Sequence, residues 1–450
     1  MRALIDRMLS GLAWLALRGF YRDLEVHGHE HLRRDRPVLV VANHFNALLD
    51  AVLVMHALGR LPRFVATAAL WRPVWARPFL SVAGMVPIHR SSDERARPGS
   101  NRATFELCHQ QLARGNAVAL FPEGRLSPVP RPQPVRTGAA RIALGAREAG
   151  AAGLFVLPIG LVYEDKVALR SRALVRIGEP MDLDAALEDL DGVAAGPDDT
   201  ATVRRLTSEI EHRLRAVAPA YADEREGAVL GLAAEIALRE PDRLSPGQVP
   251  LSQREQLARH LAEAPTPDRE RVIDAVSRYH LGLSLAGLDD AYLVADYRLR
   301  RLAWLLMSTA LRLLLIAPIA AVGAVVNVLP YWAVHWAGRM VANPAIRASV
   351  RLLTGVALFP ATWVLAAWLL PWDAWWITVL VLVVAPTSGL IAVRALEQAV
   401  TVHRTWRGWI ALIERRGELD RLRAERAAVI DLIDRATDGA RSRIGDAACA

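Results

Sequence analysis

The sequence predicts an α/β domain, a sheet with helices on its faces, followed by a helical connector and a C-terminal membrane helical region. Three observations carry this. Between residues 24 and 180, short apolar runs alternate with stretches of helical period, the pattern of a sheet with helical crossovers. Residues 183–300 turn polar and helical, punctuated by Pro241, Pro246, Pro250, Pro265 and Pro267. From about 302 to 394 the chain turns apolar. A length of 450 residues leaves room for two to four units of roughly 100–200 residues each. A 53% hydrophobic fraction beside 23% charged residues fits one water-facing and one lipid-facing part.

The elements follow in order. Residues 1–20 hold an apolar stretch at 12–17, ringed by Arg2, Arg7 and Arg18. It falls short of the roughly 17 residues a span needs, and no small-residue cleavage pattern follows it. An interfacial helix is expected, with a helix packed on the domain behind it as the equal alternative. Residues 37–42 (PVLVVA) read as a buried strand, 47–58 as a helix, 63–66 as a strand and 84–90 as a strand or its end. Residues 101–114 read as a helix, 117–121 as a strand, 137–149 as a helix, and 155–163 and 173–177 as strands.

In the apolar part, residues 352–370 and 374–393 carry no charge and are each long enough to cross a bilayer. Pro371-Trp372-Asp373 separates them, with Trp368, Trp372, Trp375 and Trp376 at the junction. Arg339, Arg347 and Arg351 precede the pair; Arg394, Arg404 and Arg407 follow it. A hairpin with both ends cytoplasmic satisfies the positive-inside tendency. Residues 302–330 are interrupted by Arg312 and Pro318 and are expected to form a broken or re-entrant segment. Residues 404–445 read as a polar helix, with Leu419, Leu422, Val429 and Ile433 near one face and Arg426 interrupting the stripe. The expected divisions are an interfacial membrane helix (1–22), a catalytic α/β domain (23–220), a helical connector (221–300), membrane-embedded helices (301–396) and an amphipathic C-terminal helix (397–450).

The net charge is +8, and all of the 55 basic residues but Lys166 are arginine. Excess arginine suits anionic lipid heads; no nucleic-acid motif accompanies it, so nucleic acid is not an expected partner. Cys108 and Cys449 imply neither a disulfide framework nor a metal site. His27, His29 and His31 alternate, but they read as a solvated connector before the first core strand, and no metal is expected. No Walker loop or dinucleotide fingerprint occurs.

Four motifs in the α/β part carry chemistry. Asn43-His44 follows a buried strand and opens a helix that holds Asp50. His is the usual general base near neutral pH, and a carboxylate on its other ring nitrogen fixes the tautomer. Gly84-Met85-Val86-Pro87-Ile88-His89-Arg90 places an Arg at a strand end, where a guanidinium can grip phosphate oxygens. Phe121-Pro122-Glu123-Gly124-Arg125-Leu126-Ser127 adds a second cation, a carboxylate able to hold that Arg or a substrate hydroxyl, and a glycine that admits close backbone approach. Val156-Leu157-Pro158-Ile159-Gly160 is a strand ending in Pro and Gly. Each motif alone is as readily explained by packing or an ordinary turn.

Together, in this order over residues 38–161, they resemble the glycerophospholipid acyltransferase family, which includes glycerol-3-phosphate and lysophosphatidate acyltransferases. The resemblance covers about the first 180 residues and implies a mixed sheet flanked by helices. It implies His44 as catalytic base with Asp50 as its partner, and Asn43, Arg90, Glu123, Gly124, Arg125 and Arg136 in substrate binding. Amides near Gly124 would stabilise an oxyanion. It implies transfer of a fatty acyl group from acyl-CoA or acyl carrier protein, as co-substrate and without a cofactor, to glycerol-3-phosphate or 1-acylglycerol-3-phosphate. Membrane lipids are the further partners. The catalytic domain is expected at the cytoplasmic face of the cell membrane. The alternatives are another lysophospholipid or lipid acceptor, and a catalytically silent membrane scaffold. Two departures stand out. Five residues separate His44 from Asp50 where the family has four, and one extra residue turns a side chain by about 100° on a helix. Asn46 stands where the family often has a small polar residue such as Ser.

Overall fold

A computed structural model describes residues 2–72, 74, 76–89, 101–189, 196–239, 249–294, 299–369, 375–414 and 416–438. Arg90, the Pro371-Trp372-Asp373 junction and the end of the predicted C-terminal helix lie outside the described residues. The chain divides into two compact units, residues 1–222 with Asn343–Ser349, and residues 223–342 with 350–450.

The first unit runs α1 (Arg2–Phe20), β1 (Asp23–His27), β2 (Val38–Ala42), α2 (Ala47–Leu58), β3 (Arg63–Thr67), α3 (Ala76–Val82), β4 (Val86–Ile88), α4 (Arg102–Ala113) and β5 (Ala117–Leu120). It continues through α5 (Gly138–Glu148), β6 (Phe155–Tyr163), β7 (Arg172–Ile177), β8 (Met181–Asp182), α6 (Leu183–Asp189) and α7 (Thr200–Val217). The strands make one mixed sheet in the order β1-β7-β6-β2-β5-β3-β4, with β8 also on β6. β2 lies at its centre, parallel to both β5 and β6. Every residue of β2 is buried, which is why it reads as a continuous apolar run rather than an alternation. On one face Leu39, Val41 and Val118 pack with Cys108 and Leu112 of α4, the alanines of α5 and Val203, Leu206 and Ile210 of α7. α1 packs against α2.

β1 was not anticipated. It is an edge strand that, among the described residues, pairs only with β7, and the charges of Asp23-Leu24-Glu25-Val26-His27 hide its period. His27 ends that strand while His29 and His31 sit on a single 3-10 turn after it, so the three imidazoles share no strand face. His31 Nδ1 meets the Ile177 carbonyl at 2.9 Å. Among the described residues no group of three His, Cys, Asp or Glu is placed to hold a metal ion. α1 packs on the domain behind it through one face. Ala13, Leu17 and Phe20 are buried, while Leu12, Trp14 and Leu15 are exposed, and the Arg18 guanidinium lies 4.6 Å over the Trp14 ring.

The second unit is helical: α8 (Glu224–Leu238), α9 (Leu251–Glu263), α10 (Thr266–Ala286), α11 (Asp290–Val294), α12 (Leu299–Arg339), α13 (Pro344–Trp368), α14 (Trp375–Glu414) and α15 (Arg416–Ala436). The start of α13, up to Ser349, clusters with the first unit. Residues 302–330, expected to be broken or re-entrant, lie in one uninterrupted helix that contains Pro318 and Pro330. A proline removes a single helical hydrogen bond, and the turns on either side carry the helix through it. The polar helix expected from 404 begins inside α14, which continues from the apolar run to Glu414. Asn327 of α12 ties the apolar helices together: its Oδ1 accepts from Trp363 Nε1 at 2.8 Å and its Nδ2 donates to the Ala385 carbonyl at 3.1 Å. Leu306–Arg339 and Pro344–Trp368 are both long and apolar enough to cross a membrane.

Leu419, Leu422, Val429 and Ile433 of α15 are buried, as their spacing predicts. Arg426, which interrupted that stripe, is part of the packing. It donates to Asp290 Oδ1 at 2.9 Å and to the Ile236 carbonyl at 2.7 Å. Tyr279 donates to the same Asp290 oxygen at 2.7 Å, and Arg239 pairs with the other at 3.3 Å.

Candidate active site

The motif residues converge where β2 and β5 end. Both strands run parallel, so their carboxyl ends open on the same edge of the sheet, the usual place for a ligand crevice in such folds. β2 stops at Ala42, and Asn43 prolongs its pairing through a side chain. Asn43 Oδ1 accepts from Leu161 N at 2.7 Å and Nδ2 donates to Leu161 O at 3.0 Å. Asn43 is fully buried, so the side chain expected to meet substrate is turned instead onto β6, where it aims the next residue, His44.

His44 Nδ1 lies 2.8 Å from Asp50 Oδ2. The five-residue spacing therefore keeps a direct contact. The extra residue is absorbed before the helix: Asn46 is extended, at φ −130° and ψ 118°, and α2 begins only at Ala47. Asp50 then sits on the first turn, facing back. Its Oδ2 also accepts from Phe45 N at 2.7 Å and Asn46 N at 2.8 Å, and its Oδ1 accepts a short bond from the Tyr163 hydroxyl. A carboxylate with no exposure is tolerable when its lone pairs are met in this way. Burial, reinforced by the Asp50 charge, pushes the Tyr163 phenol well above its ordinary range, so Tyr163 remains a donor. When Asp50 is the acceptor of this bond, His44 Nδ1 carries the proton and Nε2 keeps its lone pair. The ring stacks on Phe121 at 3.9 Å and 8°, and its side chain keeps 13% exposure.

The loop after β5 holds the backbone of His44 from both sides. Glu123 Oε1 accepts from His44 N at 3.1 Å, and Ser127 N donates to His44 O at 2.7 Å. The other Glu123 oxygen accepts from Gln133 N at 3.1 Å, and Ser127 Oγ donates to the carbonyls of Val129 and Arg131. Glu123 was read as a partner for Arg125 or a substrate hydroxyl. It is 1% exposed, and its two oxygens are taken by the backbone amides of His44 and Gln133, with the Arg125 charge acting on it as well. Burial pushes its carboxyl up to about 7, against the pull of the Gln133 and His44 amides and the Arg125 charge.

Gly124 adopts φ +68°, and a Cβ there would come within 3.1 Å of Arg136 Nε. The glycine thus permits both the turn and the passage of Arg136 across it. Its own amide is spent on the Phe121 carbonyl at 3.0 Å, which removes it from the oxyanion donors anticipated there. Arg125 and Arg136 are exposed on this loop, with Arg125 Nη2 3.1 Å from Gln133 Oε1. Of the second motif, His89 is held at both backbone groups by the Asn101 amide, 2.8 Å each; Arg90, next in the chain, lies outside the described residues. In the fourth motif, Gly160 lets the end of α7 approach β6, since a Cβ there would meet Val217 O at 2.1 Å. Tyr163 and Ser127 were not singled out as contributors. Ser127 was within a quoted motif, whereas nothing in the local sequence points Tyr163 at Asp50, 113 residues away.

Residues 23–162 match the family model described as Acyltransferase. Among similar proteins, glycerol-3-phosphate O-acyltransferase 2 of Saccharomyces cerevisiae is 36% identical over 85 residues, 19% of this chain and 11% of the yeast protein. The chloroplastic 1-acyl-sn-glycerol-3-phosphate acyltransferase BAT2 of Brassica napus is 30% identical over 159 residues, 34% of this chain and 41% of the plant protein. The chain thus spans less than half the length of either curated relative. The solved 1-acyl-sn-glycerophosphate (LPA) acyltransferase PlsC of Thermotoga maritima aligns with 46% of this chain and 78% of its own at 19% identity, with a TM-score of 0.33.

Proposed function

We propose, from the match of residues 23–162 to the Acyltransferase family model, that the protein transfers a fatty acyl group from a thioester, acyl-CoA or acyl carrier protein, to glycerol-3-phosphate or 1-acylglycerol-3-phosphate at a membrane surface. The observation that carries this reading is the His44–Asp50 pair, in which Nδ1 meets the carboxylate and Nε2 is left to act as base on a side chain that is 13% exposed.

In the proposed reaction His44 Nε2 takes the proton of the acceptor hydroxyl as its oxygen attacks the thioester carbonyl. Asp50 stabilises the imidazolium that forms. The tetrahedral intermediate collapses, the C–S bond breaks, and the imidazolium returns its proton to the leaving thiolate. No cofactor enters these steps. Arg125 and Arg136, two cations on the loop that also holds His44, are assigned to the acceptor phosphate, with Arg90 as a third; planar guanidinium forks suit its oxygens. The exposed apolar side chains of α1 and of α12 to α14 support a membrane-bound protein, and the arginines that flank the apolar runs, Arg339, Arg347, Arg351, Arg394, Arg404 and Arg407, favour the cytoplasmic face of the cell membrane.

The test is the full chain in detergent with labelled acyl-CoA or acyl carrier protein and a panel of acceptors. Transfer to a glycerol phosphate is expected. His44→Ala should lower kcat by about 10²–10⁴-fold, the usual weight of a general base. Absence of transfer to any glycerol phosphate would sink the proposal.

A further inference from the structure

Helix α2 lacks a cap of its own. The first-turn N–H groups of a helix have no partner within it, and the residue just before the helix normally supplies a side-chain oxygen to the second or third of them. Asn46 stands at that place and makes no such bond. Its amide nitrogen donates elsewhere, to the Lys166 carbonyl at 3.1 Å. The missing oxygen comes from the far end of the sequence. Ser349 Oγ accepts from Leu48 N at 2.9 Å and from Leu49 N at 3.4 Å. These are the second and third residues of α2, the two amides a capping side chain serves. Ser349 is 4% exposed and belongs to the Asn343–Ser349 segment that clusters with the catalytic unit. It is six residues into α13, whose remainder is an apolar run.

Asp50 follows Leu49 directly, and its carboxylate takes the two amides just before the helix, those of Phe45 and Asn46. Two oxygen-bearing side chains therefore serve the start of α2. Asp50 covers the amides of residues 45 and 46, and Ser349 covers those of residues 48 and 49. If the Ser349 oxygen is removed, the turn that aims Asp50 at His44 loses its outer support.

We infer that Ser349 is a positioning residue of this site: a hydroxyl from the first turns of α13 caps α2 in place of Asn46 and holds Asp50 in register with the His44 imidazole. The inference rests on the acyl-transfer reading for its kinetic consequence and on geometry alone for the cap. It makes the dyad dependent on a segment some 300 residues beyond it.

The experiment compares the full chain with Ser349→Ala and Ser349→Thr in the same detergent. Ser349→Ala should lower kcat by about tenfold to a hundredfold, the effect of a small displacement of a catalytic group. KM for the acceptor should stay within about twofold, because no substrate contact is lost. Ser349→Thr, which keeps the hydroxyl, should recover most of the lost kcat. Amide exchange at Leu48 and Leu49 should accelerate in Ser349→Ala and return in Ser349→Thr. A Ser349→Ala protein with undiminished kcat overturns the inference, as does a Thr variant as impaired as the Ala variant. If the wild type transfers no acyl group, the functional reading fails by itself. The exchange comparison then decides the cap, and unchanged protection in Ser349→Ala overturns it.

Discussion

At the scale of single residues, the site is a set of buried acceptors matched to donors. Asp50 is the centre of it, with His44, Tyr163 and two backbone amides turned toward one carboxylate. Tyr163→Phe removes one of these donors without leaving a large void. A hydrogen bond to a charged group contributes about 1.5 kcal/mol or more, so kcat should fall by about tenfold, read from steady-state rates at saturating acceptor. Glu123 makes a separate prediction about pH. Its carboxyl is raised from 4.5 to about 7 in the folded protein. Between those values the folded state keeps a proton that the unfolded state has lost. The contribution of Glu123 to stability is therefore full at acid pH and declines as pH rises through that window. The decline is at most about 3 kcal/mol. Unfolding of wild type and Glu123→Gln followed at about pH 5 and about pH 8 should show the difference between them shifting by up to that amount, with wild type relatively weaker at the higher pH.

At the scale of elements, the late start of α2 decides the site. A helix beginning one residue earlier would turn Asp50 by about 100° and break its bond to His44. The extended Asn46 takes up that residue. The loop after β5 does comparable work, since Glu123 and Ser127 bracket the His44 peptide. Gly124→Ala should therefore impair activity more than folding, because φ +68° is strained for alanine and its methyl would crowd Arg136. Acceptor KM and kcat, measured beside the melting temperature, separate the two effects. In the second unit α15 is docked by Arg426 and Asp290, which is 4% exposed. Arg426→Ala leaves that carboxylate still paired with Tyr279 and Arg239, so the cost is that of a lost charge-assisted hydrogen bond, about 1.5–3 kcal/mol. Arg421→Ala breaks an exposed pair with Glu425, and such pairs contribute less than about 1 kcal/mol. Thermal unfolding of the two variants should differ accordingly.

At the scale of the whole molecule, one unit carries the candidate chemistry and the other most of the exposed apolar surface. At 1.5 Å per residue, the 34 residues of Leu306–Arg339 make a helix of about 50 Å, longer than the roughly 30 Å hydrocarbon core. The uncharged runs at 352–370 and 374–393 remain the hairpin to test. Cysteines introduced near 345 and near 400 should react with an impermeant reagent from the same side; labelling from opposite sides refutes the hairpin. Background from Cys108 should be negligible, because it is fully buried and burial pushes its thiol up to about 12. Cys449→Ser removes the other thiol.

The sequence by itself determined the central run of strands and helices from β2 to β7, with α3 missed, the apolar character of the C-terminal helices and the placing of His44 at the end of a buried strand. These are local properties: a period of two or 3.6, an uncharged run, a strand followed at once by a polar residue. Tertiary structure alone decided the rest. β1 is a charged edge strand whose strand pairing is with the distant β7. Arg426 breaks the period of α15 because its partner Asp290 stands 136 positions away. Glu123, Tyr163 and Ser349 meet the His44–Asp50 site across 79, 113 and about 300 positions. A hydrogen bond needs only that donor and acceptor be brought within about 3 Å, and nothing in the residues around either partner records which distant group will arrive.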